Sequence, residues 1–245
     1  MVAAYSAKVV ATRGGGTQSS ASAVPSRDTP KSTTISFAKF AATLVFLSQY
    51  GSDPALKRGR NVYEWRNIVT KIWTDSDLTD FWNEDDYYAE SYTDNPLTKD
   101  KIDLAERALG FKLPASYIEL MSNRNGGAPI KTNHRTKSST SWAEDHVAMT
   151  GFLSVGDSKD YSLCGGFGSQ FHIDEWGYPP IGVYFADCPS AGHDLLCLDY
   201  SSCGPSGEPR VVHVDQENDY KITHVADTFE QFVRGLESDE AFDGE

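Results

Sequence analysis

Lysine and arginine are scarce in this chain. Its 245 residues contain 22 Lys and Arg against 35 Asp and Glu, so the formal net charge is -13 at pH 7. Sequence-independent binding of nucleic acid or of anionic membranes relies on clustered basic side chains, and we expect neither as a partner. The charge balance favours a basic partner instead.

Long apolar runs and cysteines are also few. The run over residues 37–47 is too short to cross a bilayer, and its apolar positions follow helical spacing. Four cysteines occur without a C-x-x-C pair in a chain large enough to fold without cross-links. They are therefore interpreted as reduced thiols of a cytoplasmic protein, with a disulfide as the alternative.

Motifs of catalysis and of cofactor binding are missing as well. The Gly-rich stretch "CGGFGS" at 164–169 lacks the Lys-Ser/Thr of a phosphate loop and the third glycine of a dinucleotide fingerprint. No G-x-S-x-G elbow occurs. Candidate zinc ligands stand at 188, 193, 197, 203 and 213, without the close pairs that structural zinc sites use. We expect neither a metal nor a cofactor.

The stretch from Gly192 to Glu217 gathers two histidines, two cysteines and several carboxylates. Its pattern fits a hairpin with a long loop, in which "DLLCLDY" is a central strand and Cys197 is a small buried hydrophobe. In this interpretation His213 is a half-exposed strand residue, and Asp199 supports the turn by accepting hydrogen bonds. The alternative is a hydrolase or a nucleotide-modifying enzyme that uses His193, Asp199 and His213.

The N-terminal third divides into a tail and a helical extension. Residues 1–34 are rich in Ser, Thr, Ala and Gly and contain one acidic residue, which predicts a disordered tail that folding does not need. An organelle transit peptide has a similar composition and is the alternative. Residues 35–94 form the extension, with predicted helices at 37–47 and 62–73. Trp73 belongs to the apolar face of the second helix.

The extension ends in an acidic-aromatic segment at residues 75–94. It holds eight acidic residues, five aromatic residues and no basic residue. A solvated linker is the plain interpretation, but the interleaved rings predict that some of them pack on the domain that follows. We expect Glu84, Asp85 and Asp86 to form one edge of a partner-binding surface.

Residues 95–237 have the pattern of an α+β domain, and residues 238–245 form an acidic tail. Thr98 is a candidate N-cap, Gly110 a candidate C-cap, and Asn125-Gly126-Gly127 ends a second helix. Short β-like runs follow, and a helix at 227–236 closes the domain. The β-like runs lie at 146–155, 181–187, 194–200, 210–215 and 220–226.

Several of these motifs together resemble the SUKH superfamily, in the Smi/Knr branch whose fungal members are called cell-wall assembly regulators. They are L-P-x-x-Y at 113–117, the Asn-Gly-Gly helix end at 125–127, "LLCLDY" at 195–200, Gly-Glu-Pro at 207–209 and F-x-x-F-x-x-G-L at 229–236. The resemblance covers about residues 97–236. It implies a mixed, mainly antiparallel sheet of about six strands flanked by helices, without catalytic residues or a cofactor.

The resemblance also implies a role in protein binding. Many bacterial members are similar to immunity proteins that neutralise a toxin domain, whereas fungal members are regulatory proteins. Exposed tryptophans and carboxylates suit the capture of a basic protein. The candidate partner-binding residues, besides Glu84, Asp85 and Asp86, are Trp142, Glu144, Asp145, Asp174, Glu175 and Trp176. The plainer interpretation of Trp142 and Trp176 is that both are half-buried caps of the sheet.

Overall fold

The computed structural model describes residues 71–242. The predicted tail at 1–34, the predicted helix at 37–47 and most of the predicted helix at 62–73 lie outside the described residues. So do the last three residues of the acidic tail.

Six α-helices occur in the described part of the chain. The predicted caps are confirmed, because the Thr98 side chain accepts from the N–H of Lys101 and Gly110 adopts a left-handed φ of 79°. Gly126 and Gly127 also have positive φ and end the next helix, as predicted. The helices are α1 Asp75–Leu78, α2 Asp86–Tyr92, α3 Lys99–Leu109, α4 Ala115–Asn123, α5 Ser169–Trp176 and α6 Phe229–Arg234.

Within residues 71–242, eight strands form two antiparallel sheets, which confirms the α+β class. Five strands pair in the order β3-β4-β5-β6-β7, and three pair in the order β2-β1-β8. The strands are β1 Asn133–Arg135, β2 His146–Ala148, β3 Gly151–Phe152, β4 Gly182–Asp187, β5 Asp194–Asp199, β6 Arg210–Asp215, β7 Lys221–Ala226 and β8 Leu236–Glu237.

The large sheet of five strands is close to the sheet of about six strands that the resemblance implied, and a second, smaller sheet accompanies it. The predicted β run at 146–155 is divided, because Met149 N–H donates to Thr132 beside the small sheet and Thr150 N–H donates to Asp187 in the large one. The chain therefore changes sheets between these two residues. Strand β8, at the C-terminal end of the domain, pairs with β1 in the small sheet.

The central strand of the large sheet is buried on both faces, as "DLLCLDY" predicted. All six residues of β5 are buried. Leu196 and Leu198 face the main core, which includes residues of α3, α4 and α6. Leu195 and Cys197 face a smaller cluster beside α5. The expectation that Cys197 is a buried hydrophobe is confirmed.

The acidic-aromatic segment contributes rings to the main core, as the interleaved aromatics predicted. Trp82 and Tyr92 are 8% and 1% exposed. Trp82 donates its indole N–H to Asn123 Oδ1 at 2.8 Å, at the end of α4. Buried indole and phenol groups need such partners, so this segment is fixed to the domain at defined points.

The described end of the predicted helix at 62–73 is not helical. Residues 71–73 have no regular secondary structure, and Glu119 of α4 accepts from the backbone N–H groups of Ile72 and Trp73. The Trp73 indole is 2% exposed and donates to the carbonyl of Ser116. Tertiary hydrogen bonds from α4 thus replace the bonds that a continuing helix would supply.

Candidate functional site: a row of aromatic rings with an acidic border

Eight aromatic rings follow one another from α2 to the turn between β4 and β5. Successive ring centroids lie 4.6–6.5 Å apart, the spacing of favourable aromatic pairs. Two members are large exposed hydrophobics, one 59% and the other 44% exposed. In order, the aromatic row consists of Tyr87 (59%), Tyr88, Tyr92, Tyr161, Phe167 (44%), Phe171, Trp176 and His193.

Glu84, Asp85 and Asp86 lie at the first end of the aromatic row, at the start of α2. All three are exposed. The Asp85 carboxylate caps the helix by accepting from Tyr87 N–H at 2.9 Å. Glu84 Oε1 lies 3.1 Å from Arg124 Nη1, the one ion pair of these carboxylates within the described chain. This arrangement leaves most of their charge facing solvent.

Asp174, Glu175 and Trp176 lie at the other end of the row. They belong to the last turn of α5. Asp174 and Glu175 are exposed, and Asp174 accepts from Gln170 one helical turn earlier. Trp176 is half-buried against His193, with 5.7 Å between ring centroids. Glu84, Asp85, Asp86, Asp174 and Glu175 are called the acidic border of the row.

Trp142, Glu144 and Asp145 lie in the loop between β1 and β2. Trp142 is 49% exposed. The hydrogen bond from His146 and the nearby Arg135 hold the pKa of Asp145 below its usual range. Ser141 Oγ of this loop donates to Asp194 Oδ2 at 2.6 Å. Asp194 is the residue that follows His193 of the row. The structure thus brings this loop and the end of α5 to the same turn, whereas Glu84–Asp86 lie at the far end of the row.

A protein-family comparison agrees with this fold. The family model described as SMI1-KNR4 cell-wall matches residues 99–233, which is more than half of the chain. The chain belongs to the SMI1-KNR4 family of the SUKH superfamily. No curated protein matches it. The matched SMI1-KNR4 region contains the row from Tyr161 to His193, and the three tyrosines of α2 precede it.

Three rings of the row that lie within the SMI1-KNR4 region were missed at the sequence level. Tyr161, Phe167 and Phe171 occur in "YSLCGGFGSQF", of which only the Gly-rich part at 164–169 entered the sequence-based predictions. The loop turns there, and Gly165 and Gly168 pack so closely on backbone atoms that a Cβ would clash. The aromatic residues on both sides of the glycines could have indicated a cluster of rings. The sequence does not show, however, which of these rings contact one another.

The SMI1-KNR4 domain also holds an unusual carboxyl group beneath the row. Asp187 ends β4, and its Oδ2 accepts from the Tyr92 hydroxyl at 2.9 Å. Its Oδ1 is buried without a hydrogen-bond partner. Burial raises the pKa of Asp187 to about 7. Neither its sequence neighbours nor its position at a strand end predicted this environment.

The alternative catalytic set does not converge in this domain. His193 precedes β5 and Asp199 ends it, so about 20 Å of extended strand separates them. Burial would raise the pKa of Asp199, but hydrogen bonds from Ser201 and Arg210 hold it below its ordinary value. Those bonds confirm its expected role in supporting the turn. Within residues 71–242, no three His, Cys, Asp or Glu side chains are grouped to hold a metal ion.

The expectation that His213 is half-exposed was wrong, because it is 0% exposed. The alternation of β6 is present, but both faces of the strand are covered. Neither ring nitrogen of His213 has a hydrogen-bond partner, and Nε2 lies 3.6 Å from Asp194 Oδ1. Asp194 is thus the polar neighbour of the buried imidazole: burial would raise the pKa of Asp194, but His213 and Ser141 hold it below its ordinary value.

Replacement of His213 with leucine is expected to lower the free energy of unfolding by about 1–3 kcal/mol, because it leaves the buried Asp194 carboxylate without its imidazole neighbour. Chemical denaturation at neutral pH measures the change. His224→Leu on the exposed part of β7 is the matched control and is expected to change stability by less than about 0.5 kcal/mol. Unchanged or increased stability in His213→Leu would show that the imidazole does not stabilise the Asp194 carboxylate.

Proposed function

We propose that this protein is a non-catalytic, cytoplasmic binding module that docks a basic partner protein on the aromatic row and its acidic border. The observation that carries the proposal is the row itself. It connects two groups of exposed carboxylates through rings that include Tyr87 and Phe167, two of the most exposed hydrophobic side chains. Exposed aromatic side chains are enriched among the residues that anchor protein–protein interfaces.

The charges and the aromatic rings contribute to binding in different ways. The chain carries a net charge of -13, and the acidic border concentrates negative charge at both ends of the row. Such a field accelerates the approach of a basic protein and orients it. Aromatic side chains then provide rigid, largely apolar anchors that lose little conformational entropy on binding. The partner is either a toxin domain that is neutralised or an intracellular regulatory protein, and the same surface serves both roles.

Site-specific photo-crosslinking tests the docking surface. A benzophenone amino acid replaces Phe167 in the full chain, and Ile222 on β7 is the matched control because both side chains are 44% exposed. We expect a basic protein to be crosslinked from position 167 and not from position 222. Identical products at both positions, or acidic proteins at position 167, would contradict the proposal. The identity of the product also decides between toxin neutralisation and regulation.

The acidic border is expected to control the rate of association. The variant Glu84→Gln, Asp85→Asn, Asp86→Asn should bind the crosslinked partner with an association rate that is several-fold lower at low salt. Its dissociation rate should change less. Asparagine preserves the N-cap at Asp85, so helix α2 should persist. Stopped-flow measurements at two salt concentrations check the result, because salt screens exposed charges over about 10 Å at 0.1 M.

A control variant with the same change in charge separates location from net charge. Asp100→Asn, Asp103→Asn and Asp227→Asn neutralise three carboxylates outside the acidic border. The association rate of this control is expected to fall much less. Equal rates for the two triple variants would mean that only the total charge matters, which would remove the acidic border from the binding surface.

A further inference from the structure

Asp187 lies beneath the middle of the aromatic row without a cationic partner. The Tyr92 hydroxyl donates to one oxygen, and the other oxygen is buried and unbonded. No salt bridge joins Asp187 to a basic side chain in the described part of the chain. Lys159, two residues before Tyr161, donates its ammonium group to the carbonyl of Glu90 instead. Buried carboxylates are normally paired with a positive charge, and Asp187 has no such partner among the described residues.

Tyrosines separate this carboxyl group from solvent. Tyr92 of α2 and Tyr161 of the loop after β3 stack on each other, with centroids 4.6 Å apart. Burial raises the pKa of Tyr161, and the nearby charge of Asp187 raises it further. Asp187 pairs with Gly151 of β3 and with Leu195 of β5, neither of which ionises, and the residue that follows it is the buried thiol Cys188. Hydrogen bonds from the Tyr92 hydroxyl and from backbone N–H groups only partly offset the effect of burial on the pKa of Asp187.

We propose that the tyrosines above Asp187 form a subsite for a lysine or arginine side chain of the partner, with Asp187 supplying the opposing charge. The proposal rests on the proposed function, because the cation belongs to the docked protein. Tyrosine faces attract ammonium and guanidinium groups. Direct contact with the carboxylate is not required, because its field acts strongly across the low-dielectric rings.

The subsite links binding to a proton. Because burial raises the pKa of Asp187 to about 7, a large share of the carboxyl groups is protonated near neutral pH. A bound cation stabilises the ionised form, so binding lowers this pKa and releases a proton. By reciprocity, the affinity for the cation rises as pH increases through about 7. A protein surface with only solvent-exposed carboxylates would show this change at a much lower pH.

Nuclear magnetic resonance of the full chain tests the linkage. The carboxyl carbon of Asp187 is titrated with pH in the presence of N-acetyl-argininamide or of N-acetyl-alaninamide, at matched ionic strength. We expect the arginine probe to lower the pKa of Asp187 and to shift the Tyr161 ring resonances. In Asp187→Asn, the affinity for the arginine probe should lose its rise with pH. An unchanged Asp187 titration with both probes would overturn the proposal.

Two variants of Tyr161 separate ring binding from general electrostatics. Tyr161→Phe keeps the ring face and should bind the arginine probe almost as well as the original protein. Tyr161→Leu removes the face and should bind it several-fold more weakly. Equal affinities for the two variants would contradict a subsite built on the ring.

The outcomes also distinguish this inference from the proposed function. Crosslinking of a basic protein at position 167 without an effect of the arginine probe would overturn the subsite and leave the docking surface supported. Binding of the arginine probe without a specific crosslinked protein would support the subsite and contradict docking at Phe167.

Discussion

Replacement of Asp187 with asparagine is expected to raise the free energy of unfolding above pH 7 by up to roughly 4 kcal/mol. This limit corresponds to a carboxyl pKa that rises from 3.8 in the unfolded chain to about 7 in the folded protein. Between these two values the folded protein holds a proton that the unfolded chain releases. Stability is therefore lost as pH rises from about 4 to about 7, and it stays lost at higher pH. Asparagine never ionises, so the variant avoids this loss.

Denaturation at a series of pH values checks this result. The stability curve of Asp187→Asn should be flatter than that of the original protein between about pH 4 and pH 7. Asp157→Asn is the matched control, because Asp157 is exposed and its substitution should leave the curve in place. Parallel curves for the original protein and Asp187→Asn would mean that the Asp187 carboxyl group is not buried in solution.

Replacement of Trp73 with alanine is expected to destabilise the fold by about 3–5 kcal/mol, the usual cost of truncating a buried tryptophan. The ring is 2% exposed, its N–H donates to Ser116, and Arg234 of α6 lies 5.0 Å above it. Truncation leaves a cavity in the main core and deprives the Ser116 carbonyl of its donor. The effect is notable because Trp73 precedes the matched SMI1-KNR4 region by 26 residues.

Trp142→Ala provides the comparison for Trp73→Ala. Trp142 is 49% exposed in the loop between β1 and β2, and its removal should cost less than about 1 kcal/mol. Thermal and chemical denaturation of the two variants measure the difference. Similar stabilities would show that the segment around Trp73 is dispensable for the domain. A stable fragment that starts at residue 95 would lead to the same conclusion.

The sequence by itself determined several of the local elements and the family. Thr98 and Gly110 predicted both ends of α3, since an N-cap hydroxyl and a glycine with positive φ satisfy the groups that a helix leaves open. The continuous apolar run of β5 predicted a strand covered on both faces. The interleaved rings of the acidic-aromatic segment predicted packing on the domain. These signals act within a few residues, where chemistry and backbone geometry are directly coupled.

Only the tertiary structure decided which surfaces cover each strand and which rings meet. Apolar and polar residues alternate along β6 in the same way whether its second face is exposed to solvent or covered. The alternation therefore did not show that His213 is buried. The eight residues of α5 form too short a segment for helical periodicity to be clear beside the strand-like runs around it. The aromatic row joins Tyr87 to His193, and Asp187 acquires its environment from α2 and from the loop that follows β3. Contacts between residues so distant in sequence follow from how the layers pack, and one-dimensional periodicity carries no information about that packing.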